Sequence, residues 1–98
     1  MSFADIVIAD IRLIILRTLA EDQGYSMNES VLQEVLGMFG HAVSRDRVKT
    51  ELRWLEEQGL VTVENVVGIM VAKLTPRGAD VASGAAKVDG VKRPRPRG

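Results

Sequence analysis

The sequence predicts a mainly α-helical fold with one small β-hairpin, in the order helix, helix, helix, strand, strand, helix. Three observations support this α+β class. Between residues 3 and 58, apolar residues recur at helical spacing in three segments, each preceded by a capping residue. Two short β-rich runs then follow, separated by a tight turn. A Thr-Pro pair after the second run is typical of the start of another helix.

The composition indicates one small domain that folds around a single core. The chain has 98 residues, 46% of them apolar, which excludes general disorder. Cysteine is absent, which excludes a disulfide framework and cysteine-ligated zinc and fits a reducing compartment. No signal-peptide pattern is visible, and the longest apolar run, residues 66–72, is too short to span a bilayer. We therefore expect a soluble cytoplasmic protein without a membrane partner.

The first helix is apolar on almost every side. Ser2 is its expected N-cap, and Asp5 stands three residues later at the spacing of a capping box. Such a helix is either the centre of the core or half covered by a second subunit. Because a domain this small has little core to cover it, we expect a homodimer. Its interface is predicted to include residues among Phe3, Val7, Ile11 and Ile14.

The second helix is expected to start after Ser26, which forms a capping-box pair with Glu29. Gly40 suits the position just after its end, where a left-handed backbone is cheap for glycine. The buried face is predicted from the i, i+3, i+4, i+7 spacing. It comprises Leu32, Val35, Leu36 and Phe39.

The third helix is predicted from Ser44, its N-cap, to Gln58, with Gly59 ending it. Val48, Leu52 and Leu55 lie within an arc of about 60° around the helix axis and should face inward. Helices two and three, joined by a four-residue turn that begins with glycine, form a helix-turn-helix pattern.

A hairpin about Val67 and Gly68 is expected next, followed by a short helix with Thr75 as N-cap and Pro76 in its first turn. We assign residues 1–88 to the domain and residues 89–98 to a disordered, basic, proline-rich tail. Residues 1–80 hold eight Lys and Arg against twelve Asp and Glu, whereas residues 81–98 hold five against one. The overall charge of zero therefore divides into an acidic body and a basic end.

The run "SRDRVKTELRWLEEQGLVTVE" followed by "VAKLTPRGADVA" resembles the winged helix-turn-helix domain of bacterial ArsR-, MarR- and PadR-type regulators. More closely, the whole chain, including the "VKRPRP" end, is similar to small winged-helix proteins of Mu-like bacteriophages and prophages, and the resemblance covers about residues 3–93. The resemblance implies a transcriptional regulator that binds double-stranded DNA with its third helix in the major groove. Winged helices also serve as protein–protein modules. A non-enzymatic adaptor in phage assembly or DNA packaging, with a phage protein as partner, is therefore the alternative.

The candidate DNA-binding residues lie on the outward face and N-terminal end of the third helix, and in the tail. Arginine can bind guanine with a bidentate pair, and lysine suits phosphate. The alternative is that these cations only pair with neighbouring acids, as the i, i+4 spacing of Arg53 and Glu57 favours. The tail cations would follow phosphates without reading sequence, or would only keep the protein soluble. The helix residues are Ser44, Arg45, Arg47, Lys49, Thr50 and Arg53, and the tail residues are Lys92, Arg93, Arg95 and Arg97.

The hairpin and the remaining polar residues predict no further site. The hairpin tip has Glu64 as its only charge, which favours an apolar contact with its own domain or a partner. Trp54 is expected in a flank of the core or a subunit contact. His41 is the only histidine, and no phosphate loop or metal-ligand spacing is present. We therefore expect no catalysis, no cofactor and no metal.

Overall fold

The computed structural model describes residues 1–96, which form four helices and a three-stranded antiparallel sheet. The α+β class is confirmed, and the arrangement is compatible with a winged-helix fold. The sheet order is β1-β3-β2, so that β3 is central. The elements are α1 (Phe3–Glu21), β1 (Ser26–Asn28), α2 (Glu29–Met38), α3 (Arg45–Glu57), β2 (Val61–Val66), β3 (Ile69–Leu74) and α4 (Pro76–Ser83).

Helix α1 is the central helix of the core. The capping box is confirmed, since Asp5 N–H donates to Ser2 Oγ and Ser2 N–H donates to the Asp5 carboxylate. Although α1 is apolar on most sides, no helix in residues 1–96 is long and apolar enough to cross a membrane. The residues that it buries are Ile11, Leu13, Ile15, Leu16 and Leu19.

The predicted dimer surface on α1 needs a correction at Ile11. This side chain is 1% exposed within the single chain, because α1 is wrapped by the other elements at that level. Val7 and Ile14 are half-buried. The apolar surface that α1 leaves open is confined to its first turns, at Phe3 and Ile6.

Strand β1 was not predicted, and it moves the start of α2. Ser26 was expected to be the N-cap, but it lies in β1, which pairs with β3. Asn28 is the N-cap instead, with its side-chain oxygen accepting from Val31 N–H. The Glu29 side chain bonds to β3 rather than back to the cap. Ser26 was misassigned because the pairing with the open edge of β3 outweighs a local cap.

The buried face of α2 is partly as predicted. Leu32 and Leu36 are each 1% exposed and Val35 is half-buried. The prediction is wrong for Phe39, which is 63% exposed. Helix α2 ends at Met38, so Phe39 is the C-cap and leaves the helical register.

Helix α3 follows its prediction closely. Ser44 is the N-cap and accepts from Arg47 N–H through Oγ. Gly59 follows the C-cap with φ 76°, the left-handed conformation expected after a helix. The three residues predicted to face inward, Val48, Leu52 and Leu55, are fully buried.

Strands β2 and β3 form the predicted hairpin, which we call the wing. Val67 (φ 52°) and Gly68 (φ 80°) make its turn, and both have the positive φ of a type I′ hairpin. Thr75 caps α4 by accepting from Gly78 N–H, as predicted. A Cβ at Gly78 would lie 2.0 Å from the Leu60 carbonyl oxygen, so glycine allows α4 to lie directly on the start of the wing.

The first part of the tail differs from the extended, disordered segment predicted from residue 89. Val91 is 8% exposed, and Lys92 N–H donates to the Ala9 carbonyl of α1 at 3.1 Å. Pro94 lies against Gly84, the C-cap of α4. A single valine gives no periodic signal, which is why the sequence pattern did not reveal this packing. Arg97 lies outside the described residues.

Candidate nucleic-acid interface

The outward face of α3 is exposed to solvent as the helical spacing predicted. Arg45, Thr50 and Arg53 are exposed, together with Asp46 and Glu57. Within residues 1–96, neither Arg45 nor Arg53 forms an ion pair. The pairing of Arg53 with Glu57, which the alternative interpretation favoured, is therefore not formed. Two guanidinium groups on this face are open to an external acceptor.

The polar side chains at the start of α3 serve the helix itself. Ser44 Oγ accepts from Arg47 N–H at 3.1 Å, and Thr50 Oγ donates to the Asp46 carbonyl at 3.0 Å. Both residues are exposed. Their hydroxyl groups can still accept or donate once more, because a hydroxyl has one donor and two acceptor positions.

Lys49 lies where α3 faces the start of α2. Its ammonium Nζ is 3.7 Å from Glu29 Oε2, at the start of α2. The Glu29 side chain is 1% exposed, and its other oxygen accepts from Met70 N–H of β3 at 2.7 Å. Lys49 is thus a partly exposed cation with a buried counter-charge.

The opposite flank of α3 is internally paired. Glu51 is 3% exposed and binds two guanidinium groups, Arg47 Nε at 2.8 Å and Arg12 Nε at 2.7 Å. The Arg12 guanidinium also stacks on Trp54, 3.6 Å from the ring centroid. Arg47 is therefore held against the body, as the alternative interpretation supposed for the charges of this helix. Trp54 lies in a flank of the core, which confirms one of its two expected positions.

Of the tail cations that the structure describes, Lys92 is bound to α1 and Arg93 to the end of α4. Lys92 Nζ is 3.2 Å from Asp10 Oδ1, and Arg93 Nη2 donates to the Gly84 carbonyl at 3.4 Å. Arg95 is exposed. His41 Nε2 lies 2.7 Å from the other oxygen of Asp10, so the turn histidine is bound to the body.

The pKa of Asp10 is lower than usual as the net result of opposing effects. Partial burial acts to raise the pKa of this carboxyl. The hydrogen bonds and charges of His41 and Lys92 act against it and prevail. Because the Asp10 carboxylate stays ionised, it keeps its ion pair with Lys92, the first cation of the tail.

The cations therefore form two separate groups. The packed tail passes Trp54 and Arg12 at Gly90, where Arg12 Nη1 donates to the Gly90 carbonyl at 3.1 Å. Trp54 and Lys49 are about 140° apart around α3. The tail thus borders the paired flank of α3, while Arg45 and Lys49 lie towards the opposite side. The packed part of the tail therefore does not join the outward face of α3 in one continuous band of positive charge.

The tip of the wing, residues 64–70, has Glu64 as its only charge and packs on its own domain through Met70, which is 4% exposed. Val67 is 96% exposed, while Val66 and Ile69 are 46% and 42% exposed. Glu64, on the same hairpin, is also exposed. The contact of the tip with its own domain is thus formed at Met70, while Val66, Val67 and Ile69 leave apolar surface open to a partner.

Several site features could not be found by sequence reasoning. Glu29, Glu51 and Arg12 carry the buried ion pairs, yet each looks like an ordinary helix charge in the sequence. The only available signal was that Glu51 lies on the same side of α3 as Leu52 and Leu55, within about 100° of both. In residues 1–96, no group of three or more His, Cys, Asp or Glu side chains converges to hold a metal ion.

Comparison with known proteins identifies relatives in phage and bacterial genomes. The chain is 57% identical to gp26, an uncharacterized protein of Escherichia phage Mu, over 93 residues. The match covers 95% of this chain and 96% of the Mu protein. An uncharacterized protein of Haemophilus influenzae is 50% identical over 78 residues, 79% of this chain and 76% of that protein. No protein-family model matches the sequence. The similarity to Mu-like phage proteins is confirmed, and biochemical function has to be argued from geometry.

Proposed function

The chain belongs to the family of phage Mu gp26, and we propose from the geometry of α3 that it is a winged-helix protein that binds double-stranded DNA and regulates phage transcription. One observation carries this proposal. Arg45 and Arg53 are exposed on one side of α3, and neither is paired within residues 1–96.

The spacing of these arginines suits a groove of duplex DNA. Eight residues separate Arg45 from Arg53, so that they lie about 12 Å apart along the helix axis. The major groove is about 12 Å wide and admits an α-helix. Thr50 lies about 60° from Arg53 around the helix axis and can donate or accept a hydrogen bond. With α3 lying along the groove, both guanidinium groups could reach base edges of the same groove.

The acidic residues on the outward face of α3 lower the affinity expected for DNA of arbitrary sequence. Asp46 and Glu57 are exposed beside the arginines and repel phosphate. Binding to arbitrary duplexes should therefore be weak. The affinity for a preferred site should depend on base contacts, which require fixed geometry rather than net charge.

The tail adds a smaller and sequence-independent contribution. Lys92 and Arg93 are bonded to the body, whereas Arg95 is exposed. We propose that residues 94–98, with Arg95 and Arg97, reach phosphates. Their removal should lower the salt slope of binding by up to about 2 × 0.9 for duplex DNA, equally for all sequences.

Two copies should associate through the start of α1. Phe3 and Ile6 are 82% and 53% exposed, and Ile6 lines a groove of about 680 Å³ between α1 and residues 87–93. Val88 and Val91 line the groove with apolar surface. A symmetric dimer would cover it and place two α3 helices for two half-sites. Sedimentation at high micromolar concentration should show a dimer, and Phe3→Asp should yield a monomer.

The central experiment is binding of the full chain to duplex DNA across a salt series. Arg45→Ala or Arg53→Ala should cost about 1–3 kcal/mol at a preferred site if the arginine reads a guanine, and much less elsewhere. Arg17→Ala is the matched control, since Arg17 is an exposed cation on α1. Arg12 is unsuitable as a control, because it is bonded to Glu51 and stacked on Trp54.

The outcome that contradicts DNA binding is specific. If the full chain does not bind duplex DNA even at low salt, the proposal fails. If binding depends on the tail alone and the α3 variants bind as the wild type does, α3 does not read bases.

A second candidate function, an adaptor in phage assembly, is favoured by the tip of the wing. Val67 has φ 52°, which costs a residue other than glycine about 1–2 kcal/mol and suits a β-branched side chain poorly. It is also 96% exposed, so no contact within the chain compensates. An apolar pocket on a phage protein would explain why valine occupies this turn position.

The adaptor function is tested by Val67→Asn. Asparagine tolerates the left-handed conformation, so the variant should unfold at a higher temperature than the wild type. An adaptor predicts that an induced Mu-like prophage carrying the variant yields fewer particles while the duplex affinity of the purified protein is unchanged. An unchanged particle yield would contradict the adaptor.

A further inference from the structure

Glu29 is the most deeply buried acid of the described chain and occupies a junction of three elements. It is the first residue of α2, and it follows β1 directly. Strand β1 ends with Asn28 opposite Val71, so the next backbone position of β3, Met70, has no β1 partner. The Glu29 carboxylate continues the ladder in place of a strand, since Oε1 accepts from Met70 N–H at 2.7 Å. The side chain thereby fixes the tip end of β3 to the start of α2.

Within residues 1–96, the second oxygen of this carboxylate has no hydrogen-bond partner. Glu29 Oε2 is buried, and the nearest cation is the ammonium of Lys49, with Nζ at 3.7 Å. A buried carboxylate oxygen without a donor is costly, and an adjacent cation offsets part of that cost. The side chain of Lys49 is 36% exposed, so its charge lies between the buried acid and the surface of α3.

From this arrangement we propose that Glu29 is a positioning residue for DNA binding. It holds the Lys49 ammonium beside the start of α2 and acts as its counter-charge, which lowers affinity for arbitrary DNA. Discrimination is thereby left to Arg45 and Arg53. The inference rests on the proposed DNA-binding function.

The physical basis is competition for one cation. A lysine that binds phosphate releases a counterion and steepens the salt dependence of binding. Lys49 can give its charge to a phosphate only by leaving the Glu29 carboxylate buried without a cation nearby. In the wild type, Lys49 therefore contributes much less than one full phosphate contact.

The test is Glu29→Gln in the full chain, with mixed-sequence duplex DNA as the probe and binding measured across a salt series. Glutamine keeps an oxygen that can accept from Met70 N–H but carries no charge. Affinity for mixed duplex should rise at low salt, and the salt slope should steepen by up to about 0.9, the value of one phosphate. The ratio of preferred-site to mixed-duplex affinity should fall.

Two matched variants separate this effect from a general loss of negative charge. Glu34→Gln removes an exposed acid from the same helix and should leave the salt slope near the wild-type value. Glu29→Gln combined with Lys49→Ala should abolish the gain seen with Glu29→Gln alone. Thermal unfolding of each variant shows whether the fold is retained.

A second measurement keeps the inference testable if Glu29→Gln does not fold. Lys49→Gln alone should lower the salt slope by much less than 0.9, because the wild-type lysine is already neutralised. A full decrease of about 0.9 would overturn the inference. So would a Glu29→Gln protein that folds and keeps the wild-type slope. If the wild type itself fails to bind duplex DNA at low salt, the proposed function fails, and this inference fails with it.

Discussion

The two flanks of α3 carry the same kinds of residue in different surroundings. On one flank, Arg47 is drawn to Glu51, which is buried by Arg12 and the stacked Trp54. On the outward side, Arg53 stands one turn from Glu57 but is not paired with it, and both remain exposed.

The difference shows that helical spacing permits an ion pair without deciding whether it forms. Arg47 and Glu51 are at i, i+4, and so are Arg53 and Glu57. An exposed pair of this kind contributes only about 0.3–0.5 kcal/mol, which is easily lost to side-chain entropy. The Arg47–Glu51 pair forms because Arg12 of α1 and the neighbouring core exclude water from the Glu51 carboxylate.

The largest expected effect comes from removing the buried carboxylate of Glu51, which binds Arg12 and Arg47. Glu51→Ala leaves the mostly buried Arg12 guanidinium without its carboxylate and should lower the free energy of unfolding by about 3 kcal/mol. Urea denaturation measures the loss. Glu57→Ala removes an exposed acid from the same helix and should change stability by no more than about 0.5 kcal/mol. Equal losses in the two variants would contradict a structural role for Glu51.

A smaller effect is expected where the tail meets the same flank. Gly90 has φ 96°, and a Cβ there would lie 2.9 Å from Trp54 Cζ2. Gly90→Ala should cost about 1–2 kcal/mol in backbone strain, plus about 1 kcal/mol from the contact, unless the tail detaches. In either case the emission of Trp54, the single tryptophan, should change.

Gly40→Ala is the control for the tail contact. Gly40 has nearly the same backbone conformation, φ 90°, but nothing lies within 4 Å of an added Cβ. It should show the backbone strain alone, with Trp54 emission unchanged. If Gly90→Ala is no more destabilising than Gly40→Ala and leaves emission unchanged, the tail is not packed on this flank.

A still smaller effect concerns Asp10, which ties Lys92 and His41 to α1. The folded pKa of this carboxyl lies below its ordinary value. Its stabilising contribution is therefore complete above the unfolded pKa of about 3.9 and is lost as pH falls through the lower folded pKa. Asp10→Asn should reduce the free energy of unfolding at neutral pH. Below about pH 4 the stabilities of the variant and the wild type should converge. Thermal unfolding from pH 3 to pH 7 measures this, and a constant difference across that range would contradict it.

The smallest effect is expected on the outward side of α3. Arg45→Ala and Arg53→Ala should change the free energy of unfolding by no more than about 0.5 kcal/mol, because neither guanidinium is paired within residues 1–96. The same urea titrations serve as the measurement. A loss above about 1 kcal/mol would show that the arginine supports the fold rather than a ligand.

Much of the fold could be predicted because its signals are local. Ser2, Ser44 and Thr75 cap their helices as expected, and Val67 with Gly68 forms the expected turn. Each signal involves residues within about one helical turn or one hairpin. The exposure of Arg45, Thr50 and Arg53 followed from the same periodicity.

The errors share a different cause. Ser26 was read as a cap because a three-residue strand has no periodic pattern, and its pairing partner is on β3. Ile11 was expected at a dimer interface because the sequence does not show how fully other elements wrap α1. Packing of the tail through Val91 was missed for a similar reason.

By itself, the sequence determined the order of the helices, the position of the hairpin and the side of α3 that faces outward, since caps, turns and periodicity act between neighbours along the chain. Only the tertiary structure decided which charges are available to a ligand. Arg12 meets Glu51 across 39 positions and the Gly90 carbonyl across 78. Ion pairs gain or lose their strength through burial, and burial is set by elements that are distant in sequence. For that reason Arg47 is bound within the protein while Arg45, two residues earlier on the same helix, is exposed.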